Sequence, residues 1–218
     1  MRRIDSKHYW KIISIAGALA ALAVWPGVGQ AQLSLPGLPP LPNPIGPAPT
    51  QTFTGQASAV TAAVIGNVTS LADTGTLSSA SEPLGTGLGT ASIPGLVSAE
   101  ALHAVTMGWS DQVVSEASLA NLSMTVAGIG ISADTILSKA LAVSGTRASG
   151  LTSIEGLNIN GVPVSPTGFP NQRISLPGLS VILNEQLQSA SGIVVNALHV
   201  QTFDGLVDVV IGSAKAGI

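Results

Sequence analysis

Residues 180–216 read SVILNEQLQSASGIVVNALHVQTFDGLVDVVIGSAKA, and the fold class turns on them. Ser180–Gln186, Ile193–Gln201 and Leu206–Ala216 are each rich in Val, Ile and Leu. Such side chains suit a pleated, half-buried surface. Ser189-Ala190-Ser191-Gly192 and Phe203-Asp204-Gly205 interrupt the runs with turn-forming residues. Connections this short join antiparallel neighbours, because a parallel crossover needs about a dozen residues. The stretch predicts an antiparallel meander of strands.

Working upstream, Asn160-Gly161 follows Leu157-Asn158-Ile159 and is a strong hairpin signal. A pentapeptide occurs as Ser34-Leu-Pro-Gly-Leu38, Ser92-Ile-Pro-Gly-Leu96 and Ser175-Leu-Pro-Gly-Leu179. Its Pro-Gly pair suits a type II turn, where Gly accepts positive φ. A longer repeat is present too. Val97-Ser98-Ala99-Glu100-Ala101-Leu102 returns 34 positions later as Ile131-Ser132-Ala133-Asp134-Thr135-Ile136. Ser118–Met124 returns 35 positions later as Ser153–Ile159. Two segments recurring in the same order suggest a duplicated two-strand unit, as stacked rungs of a solenoid require. Ser98–Val105 and Ser132–Val143 also carry the Ser cap of a short helix. Their β-rich surroundings make them strands.

Composition narrows the function. Of 218 residues, 8 are Lys or Arg and 11 are Asp or Glu, and Cys is absent. A nucleic-acid binder needs a basic surface, and a disordered chain needs charge with low hydrophobicity. Disulfide scaffolds, zinc fingers and cysteine hydrolases all need Cys. Arg2, Arg3, Lys7 and Lys11 precede an apolar run from Ile12 to Trp25, closed by Pro26 and the small residues of Gly29-Gln30-Ala31. That is the pattern of a secretory signal with cleavage after Ala31. From Gln32 onward only Lys139, Arg147, Arg173 and Lys215 stand against ten acids, a formal charge of −6. Leu33–Thr50 holds seven prolines, which favour an extended, semi-rigid spacer.

Motifs with chemistry are sparse. Gly128-Ile129-Gly130-Ile131-Ser132-Ala133 fits G-x-G-x-x-A, yet no βαβ alternation surrounds it, so a strand-to-strand turn fits better. No G-x-S-x-G elbow occurs, and His103 and His199 show no sequence partner for general-base work. The acids are dispersed and form no calcium loop. Asn184-Glu185 could serve carboxylate chemistry or sugar hydrogen bonding, and a polar strand end is the simpler reading. Trp109, Phe53, Phe169 and Phe203 are few as sugar-stacking platforms. The expectation is no catalytic residue, no cofactor and no metal site.

The blocks Ile131-Ser132-Ala133-Asp134, Leu157-Asn158-Ile159-Asn160-Gly161, Pro170-Asn171 and Ile174-Ser175-Leu176-Pro177-Gly178 resemble the choice-of-anchor P family of bacterial exported proteins. Leu183-Asn184-Glu185-Gln186, Val195–Val200 and Asp208–Ala214 continue the resemblance, which covers roughly residues 95–218. It implies a secreted or surface-attached domain, and it brings no catalytic residues. After Ala216 the sequence shows no sortase motif, terminal apolar span or basic tail, which favours free secretion or attachment through a partner.

Three segments are expected: a signal at 1–31, a proline-rich linker at 32–50 and one β-rich extracellular domain at 51–218. The domain should be all-β, a β-solenoid or β-helix-like body ending in an antiparallel meander, with a β-sandwich as the alternative. The expected function is that of a non-enzymatic, secreted or cell-surface structural or adhesive protein. A glycan- or matrix-binding module is the alternative, and a secreted hydrolase ranks below both. Partners would be further copies of the chain or envelope and matrix components, without nucleic acid or a membrane span in the mature chain.

Overall fold

The computed structural model describes residues 52–80 and 83–218. The signal, the linker and the first pentapeptide copy lie outside the described residues. Thirteen strands occur among the described residues: β1 (Thr54–Val64), β2 (Asn67–Asp73), β3 (Leu84–Ile93), β4 (Val97–Gly108), β5 (Gln112–Val126), β6 (Ile129–Val143), β7 (Ser149–Glu155), β8 (Asn158–Ile159), β9 (Val162–Pro163), β10 (Gln172–Leu176), β11 (Leu179–Ser189), β12 (Gly192–Thr202) and β13 (Val207–Gly217). No helix occurs among the described residues, so none is long and apolar enough to cross a membrane.

The strands form two open antiparallel sheets. Sheet A runs β10-β11-β12-β13-β1-β2, and sheet B runs β3-β4-β5-β6-β8-β9, with β7 beside β6 on the flank it shares with β8. The C-terminal meander is the centre of sheet A, and β1 joins it from the far end of the domain. Sheet A packs over sheet B, with β13 and β1 against β4, β5 and β6. Two packed antiparallel sheets agree with the β-sandwich alternative. The solenoid expectation is corrected, since stacked rungs pair in parallel and every ladder here is antiparallel. The recurring segments are instead adjacent strands of sheet B: β4 and β6 carry one copy each, and β5 and β7–β8 carry the other.

The repeat preserves a kink. Along β4, Val97 and Ala99 point into the core, Glu100 and Ala101 are both exposed, and Leu102 and Ala104 point inward again. In β6, Ile131, Ala133, Ile136 and Ser138 follow the same rhythm around exposed Asp134 and Thr135. Ala101 (φ 48°) and Asn121 (φ 49°) take the left-handed region within strands, as does Gly156 (φ 66°) just after β7. The same line crosses sheet A through Asn184 (φ 51°), Gly212 (φ 62°) and Ala72 (φ 51°). At that level the ladders pass over the pairs Asn184–Ala197, Gly212–Ala59 and Ala59–Ala72. Each long strand therefore reverses its inward face once, and the two halves of the interior are built by opposite parities.

One half is filled by large side chains, among them Val60, Leu122, Met124, Ile131, Leu183, Leu198 and Ile211, all essentially buried. The other half is richer in Ala, with Leu77 and Ile193 its largest buried side chains. Ala57, Ala104 and Ala117 form a layer leading to Val113, Ala140, Ala142, Val195 and Ala214. There the sheets approach closely enough for Ser115 Oγ to donate to Lys215 O at 2.5 Å and to bond Thr106 Oγ1 at 2.7 Å. A Cβ on Gly55 would collide with Thr106 and press on Val113, so only Gly permits that approach.

The turn chemistry follows the sequence. Ile93-Pro94-Gly95-Leu96 is closed by Leu96 N–H donating to Ile93 O at 3.0 Å, with Gly95 at φ 73°. Pro177-Gly178 makes the corresponding β10–β11 turn with Gly178 at φ 84°. Asn160-Gly161 joins β8 to β9 with both residues at positive φ, as a type I′ hairpin requires. Ala127-Gly128 does the same between β5 and β6, so the G-x-G-x-x-A segment begins in a strand-to-strand turn and continues as the start of β6.

Candidate functional site

The two sheets present outer faces with different chemistry. On sheet A the polar groups converge on His199. Glu185 on β11, His199 and Asn196 on β12, and Asp208 and Ser213 on β13 all point away from the core. His199 Nδ1 lies 2.9 Å from Glu185 Oε2, and its Nε2 lies 3.0 Å from Asp208 Oδ1. Asn196 Nδ2 donates to the same Glu185 oxygen at 2.7 Å, and Ser213 Oγ donates to Asn196 Oδ1 at 2.8 Å.

Both ring nitrogens face acceptors, which only the imidazolium can serve as a double donor. Accordingly the hydrogen bond to Glu185 raises the His199 pKa above its ordinary value, with Asp208 assisting and burial opposing. The hydrogen bond from His199 holds the Glu185 carboxyl below its ordinary value, with Asn196 assisting and burial opposing. An imidazolium committed on both sides has no lone pair to act as a base. Its carboxylates stand on opposite edges of the ring and do not converge on a point where a cation could sit. The cluster ties three strands together, and among the described residues no group of His, Asp and Glu is arranged to hold a metal ion.

Sheet B is open. Cross-strand registry aligns Ser92, Ser98, Ser123, Ser132 and Asn158 in one row over β3, β4, β5, β6 and β8. A second row, at the level of the kink, aligns Thr90, Glu100, Ala120, Thr135 and Glu155. Between them Asn121, turned outward by its left-handed backbone, donates Nδ2 to Glu100 Oε2 at 2.7 Å. Thr90, Ser92, Ser98, Glu100 and Asn121 line a shallow hollow of about 400 Å³. A neighbouring hollow of about 350 Å³ is bounded by Ser92, Ser98, Ser123 and Thr125 with the Pro94-Gly95 turn. Hydroxyls repeating at the interstrand spacing of ~4.8 Å, beside an oriented amide and carboxylate, can both donate to and accept from a hydroxylated ligand. A further hollow of about 670 Å³ lies between the Ser144–Ala148 and Ser189–Gly192 turns, where Arg147 is its one charged lining side chain among backbone and small side chains.

The residues singled out from sequence end in separate places. His103 stands exposed on the outer face of sheet B, opposite Gly87 and Ser118, while His199 is clasped on sheet A. Asn184 is buried and donates to Gly168 O, while its neighbour Glu185 enters the His199 cluster. Trp109 and Phe169 are exposed in connections outside the strands, and Phe53 packs against the smaller core. Sequence reasoning missed the Glu185–His199–Asp208 cluster and the Glu100–Asn121 pair. Simple alternation puts Asn196 and His199 on opposite faces, and only the kink at Ala197 brings them to one. The chain matches no family model, no curated protein and no solved structure in three separate comparisons.

Proposed function

We propose that the protein is an exported, non-enzymatic structural or adhesive domain that holds to its surroundings through the outer face of sheet B. The observation supporting this is the contrast between the faces: on sheet A the groups around His199 are consumed by each other and the hollow lined by Gln56, Asp73 and Lys215 is about 190 Å³, while sheet B displays hydroxyls in register beside hollows of about 350 and 400 Å³. The resemblance to choice-of-anchor P proteins points the same way, and the basic-apolar-small pattern of residues 1–31 supplies export. A proline-rich tether at 32–50 would hold the domain clear of its point of attachment. Fractionation of the producing cells tests the reading. Protein beginning at Gln32 should be recovered in the surface or matrix fraction, and an intracellular chain retaining Met1 would sink it.

A second reading, a glycan-binding module, is favoured by the Glu100–Asn121 pair at 2.7 Å in its serine-lined hollow. A carboxylate and an amide fixed side by side recognise vicinal hydroxyls by paired hydrogen bonds. Retention on insoluble polysaccharide, lost in Glu100→Ala, separates this reading from attachment to protein.

A further inference from the structure

We propose that the protein pairs with a second copy of itself through the free edge of β3, extending sheet B into a continuous two-copy sheet. An edge strand presents unpaired N–H and C=O groups, and proteins blunt such edges with charge, proline, brevity or cover. The other described edges are blunted. Strand β9 is two residues with Pro163, and β10 is five residues carrying Arg173 just after Pro170. Strand β2 kinks at Ala72 and ends at Asp73. On the outer flank of β7, Gly150 O accepts from Gln186 Nε2 and Ala148 O, just before the strand, accepts from Gln188 Nε2. Strand β3 is the longest of the described edges: Leu84–Ile93 is ten residues with no charge or proline inside the strand, flanked by Pro83 and Pro94 and bonded to β4 on one side.

Strand β3 is also complementary to itself. Leu84, Thr86, Ala91 and Ile93 stand opposite core residues of β4 and face inward. Gly85, Gly87, Thr90 and Ser92 stand opposite Val105, His103, Glu100 and Ser98 on the outer face. Leu88 stands opposite buried Leu102, whereas Gly89 and Thr90 are level with exposed Ala101 and Glu100, so the reversal falls at Gly89-Thr90, near the midpoint of the strand. A two-fold axis between those residues pairs Gly89 with Thr90, Leu88 with Ala91, Gly87 with Ser92 and Thr86 with Ile93. Every such pair joins two inward or two outward positions, so the two copies match on both sides of the axis, and no charge meets its like. A two-fold axis normal to the sheet also turns both outer faces of sheet B the same way, which doubles the contacts available to an extended polymer.

Sedimentation of the full mature chain over a range of concentrations, with cysteine trapping, tests this. The natural chain has no Cys, so an introduced thiol reports alone. A Cβ at Gly89 meets nothing within 4 Å, and one at Gly85 meets only ordinary contacts, so both variants fold. Gly89→Cys lies at the axis and should form a disulfide-linked dimer on mild oxidation. Gly85→Cys should not, because the two copies of that position lie roughly 30 Å apart in this register. Gly89→Lys should weaken dimerisation by at least roughly tenfold, through like charges meeting at the axis. A monomer at every concentration, a dimer indifferent to Gly89→Lys, or trapping at Gly85 instead of Gly89 would each overturn the proposal. A monomer that still binds polymer sinks pairing alone, and a dimer that ignores polymer sinks the attachment reading alone.

Discussion

The outer faces of the two sheets are made from much the same residue types and have opposite fates. On sheet A, Ser213, Asn196, Glu185, His199 and Asp208 form a chain of hydrogen bonds that leaves little to offer a partner. On sheet B, serines in register and the Glu100–Asn121 pair lie open beside hollows. The difference lies in side-chain length. Glu and His reach across a strand spacing to meet each other, whereas Ser98 Oγ, in the outer row of sheet B, reaches only the backbone Ser123 O at 3.5 Å, so the row stays available to whatever lies above it. Polar content on a sheet face is thus no measure of binding capacity; reach decides.

Removing the centre of the clasp should break the comparison most strongly. Glu185→Leu leaves a partly buried imidazolium without its main acceptor and should cost about 2–3 kcal/mol in denaturant unfolding. Glu100→Leu on the open face should change stability by less than about 0.5 kcal/mol. Equal costs would mean that the two faces are not different in kind.

A second expectation concerns pH. His199 has a raised pKa in the fold, so its contribution is complete below the unfolded value of 6.5 and fades as pH rises through the higher folded value. Glu185 has a lowered pKa, so its contribution is complete above the unfolded 4.5 and fades as pH falls through the lower folded value. Stability from the clasp should be greatest between those two limits. His199→Gln should flatten the alkaline decline, measured by thermal unfolding against pH, and an unchanged profile would remove the imidazolium assignment.

Backbone strain gives a smaller effect. Asn121 holds φ 49°, so Asn121→Gly should be nearly neutral for folding while Asn121→Val costs about 1–2 kcal/mol. The smallest change in stability should carry the clearest change in function. Ser98→Ala with Ser123→Ala should leave unfolding within about 0.5 kcal/mol of the parent while reducing retention on polysaccharide severalfold. Undiminished retention would move the attachment surface elsewhere.

The sequence made the C-terminal meander legible because Val, Ile and Leu runs there are separated by short turns, and β11, β12 and β13 follow those runs closely. Asn160-Gly161 and both described Pro-Gly turns were legible for the same local reason. The duplication was visible, but its meaning was not, because a 34-residue period fits a rung and a hairpin equally well. The helix-like look of Ser98–Val105 and Ser132–Val143 has a definite origin. Ala99 to Leu102 and Ala133 to Ile136 are inward pairs three residues apart, a spacing that a straight strand never shows and a kinked one does. The clasp was hidden for that reason too, since its members change parity across the kink. Pairing β1 with β13 spans almost the whole domain, and nothing local announces it.

That last pairing has a mechanical consequence. Thr54 stands opposite Gly217, so the two ends of the described fold leave side by side from one end of a single ladder. Tension applied between them would peel β1 from β13 one rung at a time, the weakest way to load a sheet. Tension entering instead through the face of sheet B and leaving through Thr54 would have to drag packed layers past each other. A tethered domain gripping by that face would yield easily to a pull on its own ends and resist a pull from what it holds.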